Sequence, residues 1–273
     1  MPDLAPAVRR VLDWPVDHVA AAVVDAGGTV LADAGDTDRE FGLASVTKLL
    51  SAYAVLVAVE EGAVDWDHPA GPPGSTVRHL LAHVSGLAFD DDTVQAEPGR
   101  RRIYSNAGFA VLGETVADAT GIPFADYLHE AVCEPLGLPA TRLDGAPGAG
   151  AVSTVADLAR FAAELQAPTL LDPRTVAEAT SVAFPGLDGI LPGYGRQRPN
   201  DWGLGFEIRD GKSPHWTGSR SSERTFGHFG QSGTFLWVDP DARAAAVVLS
   251  DRDFGAWAHE AWPVWTDGVL DAL

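Results

Sequence analysis

The segment beginning at Ser45 constrains the fold more than any other. Ser45-Val46-Thr47-Lys48-Leu49-Leu50-Ser51-Ala52-Tyr53-Ala54-Val55-Leu56-Val57-Ala58-Val59 is apolar on nearly every side of a helical wheel. A surface helix keeps a polar face, whereas one that is apolar all round has to be enclosed. The pattern predicts a helix over residues 45–61, stopped at Gly62. Other layers must cover that helix on every side, and 273 residues suffice for one large domain or two intimate ones.

The ends of the chain supply one such layer. Residues 19–24 and 29–32 read as a hairpin around Ala26-Gly27-Gly28, preceded by a short amphipathic helix over 6–12. Strand patterns return at 203–209, 233–239 and 244–251, the last two joined by a turn at Pro240-Asp241, and a helix is expected over 256–273. Between them, residues 65–191 carry helical periodicity at 76–83, 108–119, 123–133 and 154–165, interrupted by Pro/Gly loops. The predicted fold is α/β of the α+β kind: an antiparallel sheet flanked by N- and C-terminal helices, with an inserted, mostly helical region. Residues 1–64 with 196–273 would form the sheet domain and 65–195 the helical one, with the active site between them. Two Gly/Pro/Ser-rich stretches, 183–201 and 210–227, are long enough to be walls or lids of a site.

Charge removes several function classes. A formal net charge of -19 repels phosphate backbones and anionic lipid, so neither nucleic acid nor a membrane is expected as a partner. The single cysteine, Cys133, permits no intrachain disulfide and reads as a buried structural thiol. The N-terminal residues lack the continuous apolar core of a secretion signal, and no run approaches the ~18 residues of a membrane span. A cytoplasmic protein is the expectation. Of the 19 basic residues only Lys48 and Lys212 are lysines, so each lysine calls for a reason.

Lys48 has one. It stands three residues after Ser45, on the same face at the N-terminal end of the apolar helix. A capping box would place Glu or Gln there. A cation in a first turn opposes the helix dipole, and burial disfavours its charge further. Neutral lysine can take a proton from a serine hydroxyl, which arginine cannot do. Tyr104-Ser105-Asn106, just before the predicted helix at 108, adds a phenol and an amide. Tyr104 could relay the proton if Lys48 lowers its pKa, and Asn106 could donate to a substrate carbonyl or orient Lys48. In Gly227-His228-Phe229-Gly230-Gln231-Ser232-Gly233, glycine would allow close approach of backbone to substrate. An edge strand there could offer the Gln231 N–H as an oxyanion donor paired with the N–H of Ser45.

In this order the three elements resemble the serine β-lactamase and penicillin-binding-protein superfamily. Ser45-Val46-Thr47-Lys48 is similar to its S-x-x-K motif, Tyr104-Ser105-Asn106 to the Y-x-N of its class C branch, and His228-Phe229-Gly230 to its K-T-G position. The resemblance spans residues 41–251 and includes His79-Leu80-Leu81-Ala82-His83-Val84-Ser85-Gly86-Leu87 and Trp202-Gly203-Leu204-Gly205-Phe206. It implies a sheet-plus-helical-domain fold and an acyl-enzyme on Ser45. Substrate would meet Asn106, His228, Phe229 and Gly230. The lysine that helps to bind a carboxylate in lactamases is His228 here, a variant closer to the esterase and D-aminopeptidase branches.

The expected function is therefore hydrolysis of a small ester or amide by Ser45, Lys48 and Tyr104, with no metal or organic cofactor. The alternatives are a true β-lactamase or D,D-peptidase, and a catalytically silent ligand-binding relative. His79 and His83 have zinc-ligand spacing without the glutamate of HExxH, and Phe206 occupies the first glycine position of a P-loop pattern ending at Gly211-Lys212-Ser213. Imidazole has a reference pKa near ~6.5. His228 is thus expected to bind carboxylates weakly at pH 8 and to recover some affinity below about pH 6. Arg220 or Arg224 could supply the missing charge. The sequence carries no signal for oligomeric state, acyl group or leaving group.

Overall fold

The structure is a computed structural model and describes residues 4–273. The helix Thr47–Glu60 (α2) runs through its centre, and every side chain from Thr47 to Ala58 is buried. One turn of 3-10 helix, Ala44–Val46, leads into it, so Ser45 sits at the entrance. The enclosure that the sequence demands is met by a sheet on one side and by helices on the others.

The sheet is six-stranded and antiparallel throughout. Its strands are β1 (Val19–Asp25), β2 (Val30–Ala34), β3 (Glu207–Ile208), β4 (Phe226–Gly230), β5 (Thr234–Asp239) and β6 (Ala244–Ser250), in the spatial order β2-β1-β6-β5-β4-β3. Successive residues feed two cores. Ala245, Val247 and Leu249 of β6 face the core around α2, while Ala246 and Val248 face a second core. Leu4–Arg9 (α1) and Ala256–Ala272 (α5) cover the second face with Val8, Trp262, Trp265 and Val269. With both faces covered, β6 reads as an unbroken apolar run, and each fully buried Val or Leu contributes roughly 1.5–3 kcal/mol. The helix Asn106–Thr120 (α3) packs on α2. Val155–Gln166 (α4) comes from the segment expected to be helical but lies against β1 and β6. Cys133 is buried, and burial pushes its thiol up to about 12.

Three expectations need correcting. The strand predicted over 203–209 shrinks to Glu207–Ile208. Before it, the N–H groups of Gly203, Leu204 and Gly205 bond to Phe206, Ala179 and Leu81, threading this segment between helices. A Cβ at Gly203 would lie 2.0 Å from the Ala179 carbonyl, and one at Gly205 2.2 Å from Ala52 Cβ. Conversely, Phe226 and Gly227, assigned to the loop 210–227, begin β4, whose glycines hide its strand character. The stretch 183–201 also contains a small hairpin, Gly189–Leu191 with Gly195–Gln197. Arg102 braces that wall: its buried guanidinium donates to the carbonyls of Ala82, Ala183, Phe184 and Asn200 at 2.5–3.0 Å.

Gly230 sets the distance between sheet and α2. A Cβ there would lie 2.4 Å from the Leu43 carbonyl, 2.5 Å from Thr234 Oγ1 and 3.1 Å from Ala44 Cβ. The glycine expected to let backbone approach substrate thus lets the strand approach the turn that carries Ser45. Thr234 Oγ1 donates to Leu43 O at 2.9 Å, and Ser232 Oγ to Gly42 O at 2.7 Å, stitching the same seam. Overpacking against backbone costs about 1–3 kcal/mol or more. Gly230→Ala should therefore lower the melting temperature by several degrees and reduce any Ser45-dependent activity at least tenfold. Gly42→Ala, whose Cβ would meet nothing within 4 Å, should do neither; equal melting curves for the two variants would refute this role for Gly230.

Candidate active site

Ala44, immediately before Ser45, has φ 43°, left-handed backbone that a residue with a Cβ adopts at a cost. The seam to β4 and β5 holds it there and fixes the Ser45 hydroxyl at the mouth of α2. One turn on, Lys48 is fully buried. Its Nζ donates to Asn106 Oδ1 at 2.5 Å, to Gly148 O at 2.7 Å and to Ser45 Oγ at 3.3 Å. All three acceptors are uncharged, so nothing in direct contact repays the lost hydration of an ammonium. Burial brings Lys48 down to about 7, with the Asp90 carboxylate acting against it. The loop carrying Gly148 is tied to α2 by a Ser51 Oγ bond to Pro147 O at 2.7 Å.

Tyr104 and Asn106 arrive together because Ser105 caps α3. The Ser105 Oγ accepts from Gly108 N at 2.9 Å and donates to Ala88 O at 2.6 Å. Asn106 thereby becomes the first helical residue, with its amide oxygen turned to Lys48 and its Nδ2 donating to Asp90 Oδ1 at 2.7 Å. Of its two expected roles, the geometry realises the orientation of Lys48. The Tyr104 ring lies 4.6 Å from Lys48 Nζ and is packed by Phe89, His83, Trp202 and His228. The expected lowering of the Tyr104 pKa does not occur. Burial pushes the phenol above its ordinary value, the Ser45 hydroxyl works the other way, and Asp90 adds to the rise. With its phenol pushed up by burial, Tyr104 is a neutral O–H at pH 7.

His228 is buried in the wall. Its Nδ1 stands 2.6 Å from the Phe229 carbonyl, which can only accept, so Nδ1 carries the proton. Nε2 is then an acceptor, and it has no hydrogen-bond partner in the protein. Burial first, then nearby Lys48, takes the imidazolium down to about 3. The expected recovery of anion affinity below pH 6 is therefore withdrawn. Arg220 and Arg224 do not replace the charge either: they pair with Asp271 and Asp241 and line no part of the cleft.

Ser45, Tyr104, His228, Phe229 and Gln231 line one cavity of about 90 Å³, together with Phe89, Leu191, Pro192, Trp202 and Glu207. Leu191 and Pro192 come from the hairpin in the 183–201 stretch, which is thus a wall of the site. Gln231 O accepts from Phe254 N at 2.7 Å, fixing the turn after β4. Phe229 also reaches into the second core against Phe254 and Trp262.

Sequence reasoning missed His83, Asp90 and Glu207. His83, weighed only as a metal ligand, holds φ 58°, accepts from Ser105 N at 3.2 Å and supports Tyr104. Glu207 explains the second lysine. Lys212 Nζ meets Glu207 Oε1 at 2.5 Å and Asp201 O at 2.6 Å, while His215 and Trp216 bond to Glu207 Oε2 at 2.9 Å. Burial favours the protonated acid, but His215 and Lys212 outweigh it and hold Glu207 at about 2. For Glu207, the rarity of lysine, with Lys212 the second of only two, was the available signal.

Comparisons with known proteins place the chain in a family. Residues 16–267 match the family described as Beta-lactamase. A crystal structure described as a β-lactamase from Mycobacterium bovis is 62% identical, covers 97% of this chain and 98% of its own, and superposes with a TM-score of 0.96. A structure of EstCE1, described as a hydrolase with promiscuous acyltransferase activity, shares the fold at 18% identity and TM-score 0.79, covering 98% of this chain and 97% of its own. Among curated proteins, penicillin-binding protein 4* of Bacillus subtilis is 28% identical over 39% of this chain and 31% of its own length. AmpH, a D-alanyl-D-alanine-carboxypeptidase/endopeptidase of Escherichia coli, is 23% identical over 50% of each. The chain spans about a third to a half of the length of these two curated relatives. With a family match over nearly its whole length, the chain belongs to the β-lactamase family of serine hydrolases.

Proposed function

We propose that the protein hydrolyses small esters through an acyl-enzyme on Ser45. The observation that carries this reading is a buried lysine near pKa 7 with its Nζ 3.3 Å from the serine hydroxyl. As Ser45 Oγ attacks the carbonyl, its proton passes to neutral Lys48 Nζ. The backbone N–H groups of Ser45 and Gln231 receive the oxyanion. The leaving alkoxide takes a proton from the Tyr104 hydroxyl, which is refilled from the Lys48 ammonium. Water then attacks the acyl-enzyme, gives one proton to Lys48 by the same route, and Ser45 regains it as the acid departs.

Charge and size support an ester over a carboxylate-bearing substrate. No Lys or Arg side chain lines the cavity, His228 is neutral, and the one carboxylate in the wall, Glu207, is already paired with Lys212. A volume of about 90 Å³ suits a short acyl group. Hydrolysis of β-lactams is the second reading, favoured by the 62% identical protein described as a β-lactamase; small D-amino-acid amides belong to the same acyl-transfer chemistry.

A fluorophosphonate should add one adduct per chain, mapped to Ser45 by mass spectrometry. Ser45→Ala should abolish the adduct and lower p-nitrophenyl acetate hydrolysis by several orders of magnitude with an unchanged melting temperature. A folded variant that keeps more than a few per cent of activity would sink the acyl-enzyme on Ser45.

The pH profile follows from Lys48. Below its pKa the lysine is protonated and cannot accept the serine proton, so kcat/KM should fall as pH drops through about 7 and level off above it. Lys48→Arg, which has no basic form, should lose acylation almost completely. A profile flat from pH 5.5 to 8.5 would exclude Lys48 as base.

His228 gives the substrate test. Wild type should prefer p-nitrophenyl acetate to nitrocefin across pH 5.5–8.5, with no gain for nitrocefin at the acid end, because His228 stays neutral. His228→Lys should shift the preference toward nitrocefin. Wild type that favours nitrocefin would establish the β-lactam reading instead.

A further inference from the structure

Asp90 lies on the exposed rim of the cleft, in the run Phe89-Asp90-Asp91-Asp92. Its Oδ1 accepts from Asn106 Nδ2 at 2.7 Å, while Asn106 Oδ1 accepts from Lys48 Nζ at 2.5 Å. The amide therefore has a defined orientation, because a carboxylate can accept only from the NH2 end and an ammonium or amine N–H can donate only to the oxygen end. The rim segment is anchored to the same helix: the Phe89 carbonyl accepts from the N–H groups of both Asn106 and Ala107 at 2.7 and 3.2 Å. We propose that Asp90 is a positioning residue for the catalytic lysine: it locks the Asn106 amide with its oxygen toward Lys48 and engages the amide NH2 that would otherwise face a substrate. The proposal deepens the reading of Lys48 as base and rests on that reading for its catalytic meaning.

The arrangement also carries charge. Around Lys48 stand Ser45 and the rest of α2, Asn106 and Phe109 of α3, Tyr104, the Gly148 carbonyl, His83 beyond the helix Val77–Leu81, and His228 of β4. Both histidines are held below their ordinary value, chiefly by burial, so they are neutral at pH 7. Asp90 is the anion acting on Lys48, and it favours the protonated lysine. Removing that anion should therefore lower the pH at which Lys48 becomes neutral.

The two-lysine composition makes this measurable without activity. Protein labelled with [13Cε]lysine should give two signals, Lys48 and Lys212, assigned with Lys48→Arg. In Asp90→Asn the Lys48 midpoint should fall by about half a pH unit or more, with the Lys212 signal unmoved. The acid limb of p-nitrophenyl acetate hydrolysis should fall with it, so that the ratio of kcat/KM at pH 6 to that at pH 9 rises. At pH 9, where Lys48 is neutral in every variant, Asp90→Asn keeps an acceptor for Asn106 and should stay within about threefold of wild type. Asp90→Ala has no acceptor and should be lower by about tenfold, mostly in kcat. Asp91→Asn, a neighbour bonded to Thr93 instead, should change neither readout. A Lys48 midpoint unmoved in Asp90→Asn, or equal rates for Asp90→Asn and Asp90→Ala at pH 9, would overturn the proposal. Wild type that hydrolyses no ester would refute the ester reading alone, since the lysine titration still decides the case of Asp90.

Discussion

Lys48 reaches three oxygens that come from three separate parts of the chain: the turn that opens α2, the start of α3 and the loop at Gly148. Because all three are uncharged, no charge in direct contact offsets the enclosure of α2, and the ammonium loses its advantage near neutral pH. Much of the remaining architecture maintains that condition. Ser51 holds the Gly148 loop, Ser105 caps α3 so that Asn106 points at Nζ, and Tyr104, Phe109 and His83 exclude water. A single carboxylate in direct contact with Nζ would restore the charge and remove the base.

Ser45 is positioned by a different device, close contact between backbones. Gly230 lets β4 approach the turn at Leu43 and Ala44, and the hydroxyls of Ser232 and Thr234 fasten it there. The strained φ of Ala44 persists because the seam leaves it no alternative. On the opposite wall, Arg102 holds segments near residues 82, 183 and 200 together by donating to carbonyls instead of pairing with acids. The turn before the nucleophile and the wall braced by Arg102 are thus each fixed by a set of hydrogen bonds to backbone carbonyls, which is what a site with little room for reorganisation requires.

What the sequence made legible was whatever local periodicity or motif spacing encodes. The apolar circumference of α2, the hairpin at β1 and β2, and the β5–β6 pair are all readable, because each element carries its own pattern. Ser45 and Lys48 were readable as a pair because three-residue spacing puts them on one helical face, and Tyr104 with Asn106 because residues spaced by one at a helix start can point into the same cleft. The strand β4 was half hidden: Gly227 and Gly230 weaken a strand pattern, and their reasons lie across the fold, in Leu236 of the neighbouring strand and in Leu43, far off in sequence. The strand expected at 203–209 failed at its start because the N–H groups of Leu204 and Gly205 bond to helix-end carbonyls of Ala179 and Leu81, partners that no local pattern reveals. The pKa of His228 was out of reach for the same cause, since burial is a property of what packs on a residue.

The two lysines show how the same side chain is put to opposite uses. Both are buried, and both are exceptions in a chain that otherwise uses arginine. Lys212 faces a carboxylate held at about 2 by His215 and by Lys212 itself, and this pair fixes an anion in the cleft wall. Lys48 faces amide and hydroxyl oxygens, with the nearest influential carboxylate, Asp90, one residue removed behind Asn106. Arginine could serve neither purpose as well: at 48 it would never release a proton, and at 212 its fork would not fit a pocket of two backbone carbonyls and one carboxylate oxygen. Burial alone therefore does not make a base. The deciding variable is whether the buried cation meets a charge or only dipoles, and interposing one amide between Lys48 and Asp90 keeps the carboxylate close enough to tune the lysine but too far to neutralise it.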